Sequence, residues 1–393
     1  VADVLFVINA GSSSVKFSVY GADLAAMVSG QVALQDTEIV LKANVAGQAI
    51  ATRCPVVKDS HAVMSLVQVV AEFLADQIHE APHAIVHRVV HGGGSFREPV
   101  VVTDSIREQL NDLVDLAPLH QPVNLAAIDA MTVHYPDVLQ VACFDTAFHA
   151  NQSALETHYA LPQALFERGI RKYGFHGLSY AYIVSQLGVY GLASDARVVI
   201  CHLGNGASIC AVQGGASVAS TMGFTAVEGL PMGSRCGRLD PGVVLHLIAQ
   251  DGWSVDAVEH LLYYDSGLKG LSGVSSDVRT LESAADDEAA FALDYFSYRI
   301  NAEIGALVAV LGGVDAIVFT AGIGENSISI RQKVCDRLAR WLPLQLDQVA
   351  NERQDEHLNT RDSQIRVLRI PTDENLYMAR IAKDLIDAAR HPL

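Results

Sequence analysis

Three stretches of this chain follow an apolar run with a turn of small residues, and each could hold a phosphate. Residues 9–16 read NAGSSSVK, residues 202–208 read HLGNGAS and residues 321–326 read AGIGEN. Turns of glycine and serine expose backbone N–H groups and hydroxyls, and no bulky side chain keeps an anion away. The first is not the nucleotide-binding P-loop, because G-x-x-x-x-G-K-[ST] needs a glycine directly before the lysine, where Val15 stands. Neither GNGASI nor GIGENS completes the dinucleotide pattern G-x-G-x-x-G. One such turn alone reads equally well as a plain hairpin. Three of them could surround a nucleotide, two at its phosphates and one near its sugar and base.

Charged residues stand near similar turns. Arg88 lies in HRVVHGG and Arg235 in MGSRCG, and a planar guanidinium fork matches carboxylate or phosphoryl oxygens. On its own, an arginine bordering a glycine turn also reads as a surface ion-pair residue. Asp145 follows the apolar run VLQVACF, where an acid commonly caps a turn, and Glu374 opens the last helical stretch, where an acid favours the helix dipole.

The elements that must position these groups are legible from periodicity. After the opening hairpin, residues 61–80 place Val63, Leu66, Val67, Val70, Phe73, Leu74 and Ile78 on one side of a helix. AIVHRVV reads as a strand running into a glycine turn. SIREQLNDLVDLAPLH reads as a second helix, with Ile106, Leu110, Leu113 and Val114 at helical spacing and Pro118 stopping it. VLQVACF is another buried strand. Strands separated by helices predict an α/β fold in which ligand groups collect beyond the strand ends. Near Arg197 the plan begins again, since RVVICHLGNGASICAV is a second apolar run, small turn and apolar run. This reads as a duplicated unit or as two unrelated hairpins. A long helix over 291–311 ends at Gly312-Gly313, VDAIVFTAGIGEN runs from a strand into a glycine turn, and a final helix covers 373–389. No Pro-, Ser- or Gly-rich linker separates the halves, which places the boundary between Asp145 and Tyr159.

Composition limits the function classes. The 393 residues favour two domains, and half are hydrophobic while only 18% are charged, as in a compact enzyme. The 27 basic and 44 acidic residues give a net charge of −17, a field that repels nucleic acid and anionic membranes. The six cysteines form no C-x-x-C pair and no zinc-like spacing, so they are expected as reduced and mostly buried thiols. The longest uncharged apolar run, residues 304–314, is too short to span a bilayer. A cytoplasmic protein without a membrane or nucleic-acid partner is expected.

FVINAGSSSVK and VICHLGNGAS resemble the two signature segments of the acetate kinase family. HRVVHGG, LAPLH, CFDTAFH, RKYGFHGLSY, MGSRCGRLDPG, FTAGIGEN and IPTDEN resemble its remaining blocks, in the same order and over essentially the whole chain. The resemblance implies an α/β fold of two duplicated actin-like (ribonuclease H-like) domains with a nucleotide cleft between them. Residues 1–149 with 372–393 would form an N-terminal domain closed by the C-terminal helix, and residues 150–371 a nucleotide-binding domain. It further implies a homodimer and a magnesium-dependent reaction, with manganese as an alternative ion. In that reaction ATP and acetate give acetyl phosphate and ADP by direct in-line transfer.

The chemistry of that reaction is consistent with these residues. A carboxylic acid with a pKa of about 4 to 5 is already ionised at neutral pH, so the nucleophile has no proton to lose and no general base is needed. The obstacle is bringing a carboxylate to a triphosphate inside a protein of charge −17. The site must therefore concentrate cations and donors where charge builds on the transferring phosphoryl. By resemblance Arg88 and Arg235 supply the cations, and His176 donates to the phosphoryl in the transition state. His120 and His202 line the phosphate path, and Asp145 orients Arg235 or metal-bound water. Asn9 and Glu374 hold the metal. Asn9, Ser12, Ser14 and Lys16 face the ATP phosphates from one domain, and His202, Leu203, Gly204, Asn205 and Gly206 from the other. Gly322, Ile323, Gly324, Glu325 and Asn326 complete the nucleotide site. Asn9 favours the carboxylate-kinase branch, because related sugar kinases, actins and chaperones carry aspartate there.

Val90, Leu119, Phe175 and Ala226 would line the acyl pocket, with Ala226 where the family usually has proline. Other departures from the family pattern are Gly94-Ser95, Ser234 and Arg238, and none removes a catalytic group. The alternatives are a propionate or other short-chain carboxylate kinase, or a non-enzymatic ATP-dependent switch sharing only the fold.

Overall fold

The β-branched and aromatic runs on either side of the first turn form strands, as their composition favours. They are β1 (Leu5–Ala10) and β2 (Ser14–Tyr20), paired antiparallel with Asn9 opposite Lys16. The computed structural model of the chain describes residues 4–11, 14–35, 38–55, 62–78 and 81–390. The chain divides into two compact units, Val1–Ala147 with Asp373–Leu393, and Phe148–Thr372.

In the first unit β3 (Ala26–Gln35), β4 (Glu38–Val45) and β5 (Gln48–Pro55) extend the opening hairpin as an antiparallel meander. On the other side of β1 lie β6 (Ala84–Val89), β7 (Val100–Val101) and β8 (Leu139–Phe144), giving the order β5-β4-β3-β2-β1-β6-β8-β7. Strands β1, β6 and β8 are parallel, so Asn9, Arg88 and Asp145 all stand at or just beyond carboxyl ends. Parallel strands need crossovers that cover the faces, and these strands are buried almost throughout. The helices Ala62–Gln77, Gln121–His134 and Glu374–Arg390 pack on this sheet.

The second unit repeats the plan. Strands β9 (Arg197–Leu203), β10 (Ala207–Gln213), β11 (Ala216–Ser220), β12 (Ala316–Thr320) and β13 (Arg366–Arg369) are ordered β11-β10-β9-β12-β13. Hairpin β9–β10 corresponds to β1–β2, and the parallel neighbours β12 and β13 correspond to β6 and β8. The two hairpins are therefore one unit used twice. Each unit is closed by a helix that follows the other unit's last strand: Gly177–Gln186 packs on β9, and Glu374–Arg390 on β1 and β6.

Three sequence expectations are corrected. The second helix ends at Asn111 instead of running through Val114, and residues Val114–Leu116 form a separate 3-10 turn. Leu113 leaves helical register to lie against Gly93, where even an added Cβ would come within 2.8 Å of its Cδ2. The segment AGIGEN is not an open turn but the short helix Ala321–Asn326. Its first residue, Ala321, has φ of 64°, a left-handed conformation that lets the chain turn sharply from β12 into the helix. The long helix begins at Asp287, four residues before the expected start, because Asp286 caps it, and it ends at Leu311 before Gly312. All six cysteines are free, and Cys143, Cys201, Cys210 and Cys335 are buried. Among the described residues no helix is long and apolar enough to cross a membrane.

Buried histidines, His87 and His149 among them, make the fold acid-sensitive. His87 bonds Gln140 through Nε2 at 2.6 Å, and His149 is held between Ser217 Oγ and the Phe175 carbonyl. Burial lowers each pKa from 6.5 to about 4, against the opposing pull of those hydrogen bonds. Below the unfolded pKa the unfolded chain binds protons that the folded one refuses, so stability is lost as pH falls from 6.5 towards 4. Each histidine contributes up to about 3 kcal/mol to that loss. Melting temperatures followed across this window should fall steeply. A flat profile would show that the two imidazoles are not held neutral.

Candidate functional site

The first unit gathers four of the predicted residues around one guanidinium. Arg88, on β6, donates from Nε to both carboxylate oxygens of Asp145 at 3.1 Å and from Nη2 to Oδ2 at 2.5 Å. Its Nη1 donates to Asn9 Oδ1 at 3.4 Å, and Asn9 Nδ2 donates to Glu374 Oε2 at 3.3 Å. Asp145 is 1% exposed. Burial alone would lower the Arg88 pKa, but the charge and hydrogen bonds of Asp145, with the charge of Glu374, outweigh it and raise it above the ordinary value. Lys16 is exposed, and as the antiparallel partner of Asn9 it projects to the same face. Ser14 begins β2, and Ser12 lies outside the described residues. His120 stands at the N-cap of Gln121–His134, Leu119 is half-buried before it, and Val90 is buried just past β6.

Sequence reasoning linked Asp145 to Arg235 or water and missed its pairing with Arg88. It also missed Asn124, whose side chain accepts from Val90 N and donates to the Ala10 carbonyl, tying the HRVVHGG turn to the opening turn. The available signal was a pair of amides, Gln121 and Asn124, one helical turn apart beside Leu125 and Ile128.

The second unit gathers the rest. His176 is the N-cap of Gly177–Gln186, in left-handed conformation with φ of 58°. Its ring stacks on that of His202, centroids 4.1 Å apart and 19° from parallel. His176 Nδ1 bonds Ser208 Oγ, and His202 Nδ1 bonds Ser179 Oγ, each at 2.8 Å. A Cβ added at Gly206 would sit 3.3 Å from His176 Nε2 and 3.9 Å from Arg235 Nη1, so backbone, imidazole and guanidinium converge there. Arg235 Nη1 donates to the Ala226 carbonyl at 3.1 Å. Phe175 is buried, and its carbonyl accepts from His149 Nε2, which supports the YGFHG turn from below. Gly174 is required in that turn, since its φ is 76° and an added Cβ would strike the His149 ring at 2.6 Å.

The glycine segments sit at the ends of β9 and β12. Leu203 is buried, Asn205 is exposed, and Gly204 N bonds the Gly206 carbonyl at 3.1 Å. In the Ala321–Asn326 helix, Gly322 and Asn326 are exposed, Ile323 is half-buried and Gly324 is buried. The Glu325 carboxylate accepts from Thr372 N. Arg331, also missed, is fully buried and donates from Nη1 to the Gly324 and Glu325 carbonyls, both at 2.9 Å, which anchors this helix. Burial lowers its pKa to about 10, with Arg369 adding to the effect, so it remains a cation at neutral pH.

Asn9 and Glu374, joined by the bond from Asn9 Nδ2 to Glu374 Oε2, carry side-chain oxygens of the kind a magnesium ion takes. The described residues contain no group of three or more His, Cys, Asp or Glu arranged to hold a metal. A sparse oxygen set fits an ion that takes one or two protein ligands and keeps its waters and substrate phosphates.

A sheet plan used twice, with an antiparallel hairpin opening each copy and Arg88 near the carboxyl end of β6, is that of the two-unit, actin-like α/β kinases. The chain belongs to the acetokinase family, whose family model matches residues 4–380. It is 45% identical over 390 residues to the acetate kinase of Nitrobacter hamburgensis, covering 98% of this chain and 96% of that protein. It is equally 45% identical to the acetate kinase of Rhodopseudomonas palustris over 99% of this chain and all of the relative. Among solved structures, Porphyromonas gingivalis acetate kinase matches with TM-score 0.87 and 33% identity, covering 98% of this chain and 100% of that one. A propionate kinase from Francisella tularensis matches with TM-score 0.89 and 33% identity over 96% and 98% of the two chains.

Proposed function

We propose that this enzyme, a kinase with a carboxylate acceptor, transfers the γ-phosphoryl group of ATP reversibly to acetate by direct in-line displacement. The observation that carries this reading is the Arg88–Asp145 clamp. A buried acid already bound by three N–H···O contacts is poorly placed to take a proton, whereas an ionised acceptor needs no base and a well-held cation. Arg88 and Arg235 steady the acceptor and the charge on the transferring phosphoryl, and His176 donates to it. His120 and His202 line the phosphate path, and the segments 9–16, 202–206 and 322–326 hold ATP. Asn9 and Glu374 hold magnesium, or manganese in its place, which neutralises charge on the nucleotide phosphates when bound. The test is incubation with ATP, magnesium, acetate and hydroxylamine. Acetohydroxamate should accumulate, and ATP hydrolysis without hydroxamate would instead mark a nucleotide switch.

A second substrate, propionate, is favoured by the similarity to a propionate kinase and by Ala226, which stands where the family usually has proline. Alanine in place of proline removes ring carbons from one wall, and a methylene discriminates by only about 1 to 3 kcal/mol. Propionate should be used within about tenfold of acetate in kcat/KM. Ala226→Pro keeps the carbonyl that holds Arg235 and should shift preference towards acetate. An unchanged ratio would release position 226 from that role.

The protein acts in the cytoplasm as a homodimer on small molecules. Apolar side chains exposed on the second unit, including Leu245, Val255, Phe291 and Tyr298, support a partner surface. The helix Pro241–Ala249 buries none of its residues despite being mostly apolar.

A further inference from the structure

The hydrogen bonds around His176 determine where its proton sits. Ser208 Oγ lies 2.8 Å from His176 Nδ1 and 2.5 Å from Tyr180 OH. Tyr180 and Ser208 are both 0% exposed. Burial raises the Tyr180 pKa well above its ordinary value, so the phenol keeps its proton. Among the described residues Ser208 is the hydrogen-bond partner of that phenol, and an unmet buried O–H is costly, so Tyr180 donates to Ser208. Serine has one proton of its own, and with its oxygen accepting from Tyr180, the acceptor left for that proton is His176 Nδ1. Any other direction strands a buried hydroxyl proton.

We infer that Tyr180 and Ser208 are positioning residues that hold His176 as the neutral tautomer protonated on Nε2. Nε2 is the nitrogen turned towards Gly206, with Arg235 Nη1 near the same point and the His202 ring stacked on the imidazole. His176 thus presents a neutral N–H donor to the phosphoryl group, while Arg88 and Arg235 supply the positive charge. The ring nitrogen that is not used fixes the one that is. This also gives the hairpin a function: Ser208 stands opposite His202 in the β9–β10 ladder, so one strand pair sets both stacked rings.

The inference rests on His176 serving the proposed transfer, but its main test does not. In protein carrying ¹⁵N-labelled histidine, the His176 ring signals are assigned by their loss in His176→Gln. At neutral pH and without nucleotide, Nδ1 should resonate as an unprotonated nitrogen and Nε2 as a protonated one. A protonated Nδ1, alone or in an imidazolium, would overturn the inference whatever the enzyme phosphorylates. In Tyr180→Phe, Ser208 is free to accept, so Nδ1 should gain protonated character. There kcat should fall about threefold to tenfold, with KM for ATP and acetate within about twofold. Unchanged tautomer and kcat in a folded variant would also overturn it. If that variant does not fold, the wild-type spectrum still decides. Failure of the hydroxamate assay with the expected tautomer would count against the proposed activity alone.

Discussion

Arg88→Ala is expected to reduce turnover by about 10²-fold or more, the scale of losing a well-placed donor to developing charge. The loss should exceed that of a simple deletion, because Arg88 neutralises a buried partner. Without it Asp145, 1% exposed, is a buried anion that has lost its guanidinium partner. Arg88→Lys should recover little, since an ammonium cannot reproduce the Nε and Nη2 contacts with one carboxylate. Combining Arg88→Ala with Asp145→Ala removes the buried carboxylate as well and should restore thermal stability but not turnover. The measurement is hydroxamate formation at saturating substrates beside a melting curve. Near-normal rates in folded Arg88→Ala would take this arginine out of the mechanism.

Arg235→Ala should have a comparable effect on kcat but spare the structure. Its loop is tied by backbone: Met232 N bonds the Arg235 carbonyl at 3.0 Å, Gly233 N bonds the Asn205 carbonyl at 3.0 Å, and Leu268 N bonds the Met232 carbonyl at 2.8 Å. None of these uses the guanidinium. The side chain's own contacts include the Ala226 carbonyl and Met232 Sδ, both neutral groups. An interaction felt mainly in the transition state lowers kcat more than nucleotide affinity. Turnover should therefore drop by about 10²-fold or more, while ATP binding measured by calorimetry stays close to wild type. Loss of ATP affinity in parallel with rate would reassign Arg235 to ground-state nucleotide binding.

The elements could be read in the sequence because each is encoded locally. Apolar runs on either side of a small-residue turn marked β1, β2, β9 and β10, and helical spacing marked Ala62–Gln77. Gly312 marked the end of the long helix. The three small-residue turns, and the resemblance built on them, identified the chemistry. The meander β3–β5 went unread, although its residues alternate, because no functional turn drew the reading there. The pairings belong to the tertiary structure. Arg88 and Asp145 are 57 residues apart and meet because β6 and β8 lie parallel, with Arg88 in register with Cys143. His176 and Ser208 meet because Gly177–Gln186 packs on β9, beside β10. Arg331 reads as an ordinary helix-surface cation, and only packing buries it against the carbonyls of Gly324 and Glu325. Periodicity says which face of an element is buried. Which polar groups share that interior, and which of two atoms carries the proton between them, is decided only when buried donors and acceptors must all be satisfied at once.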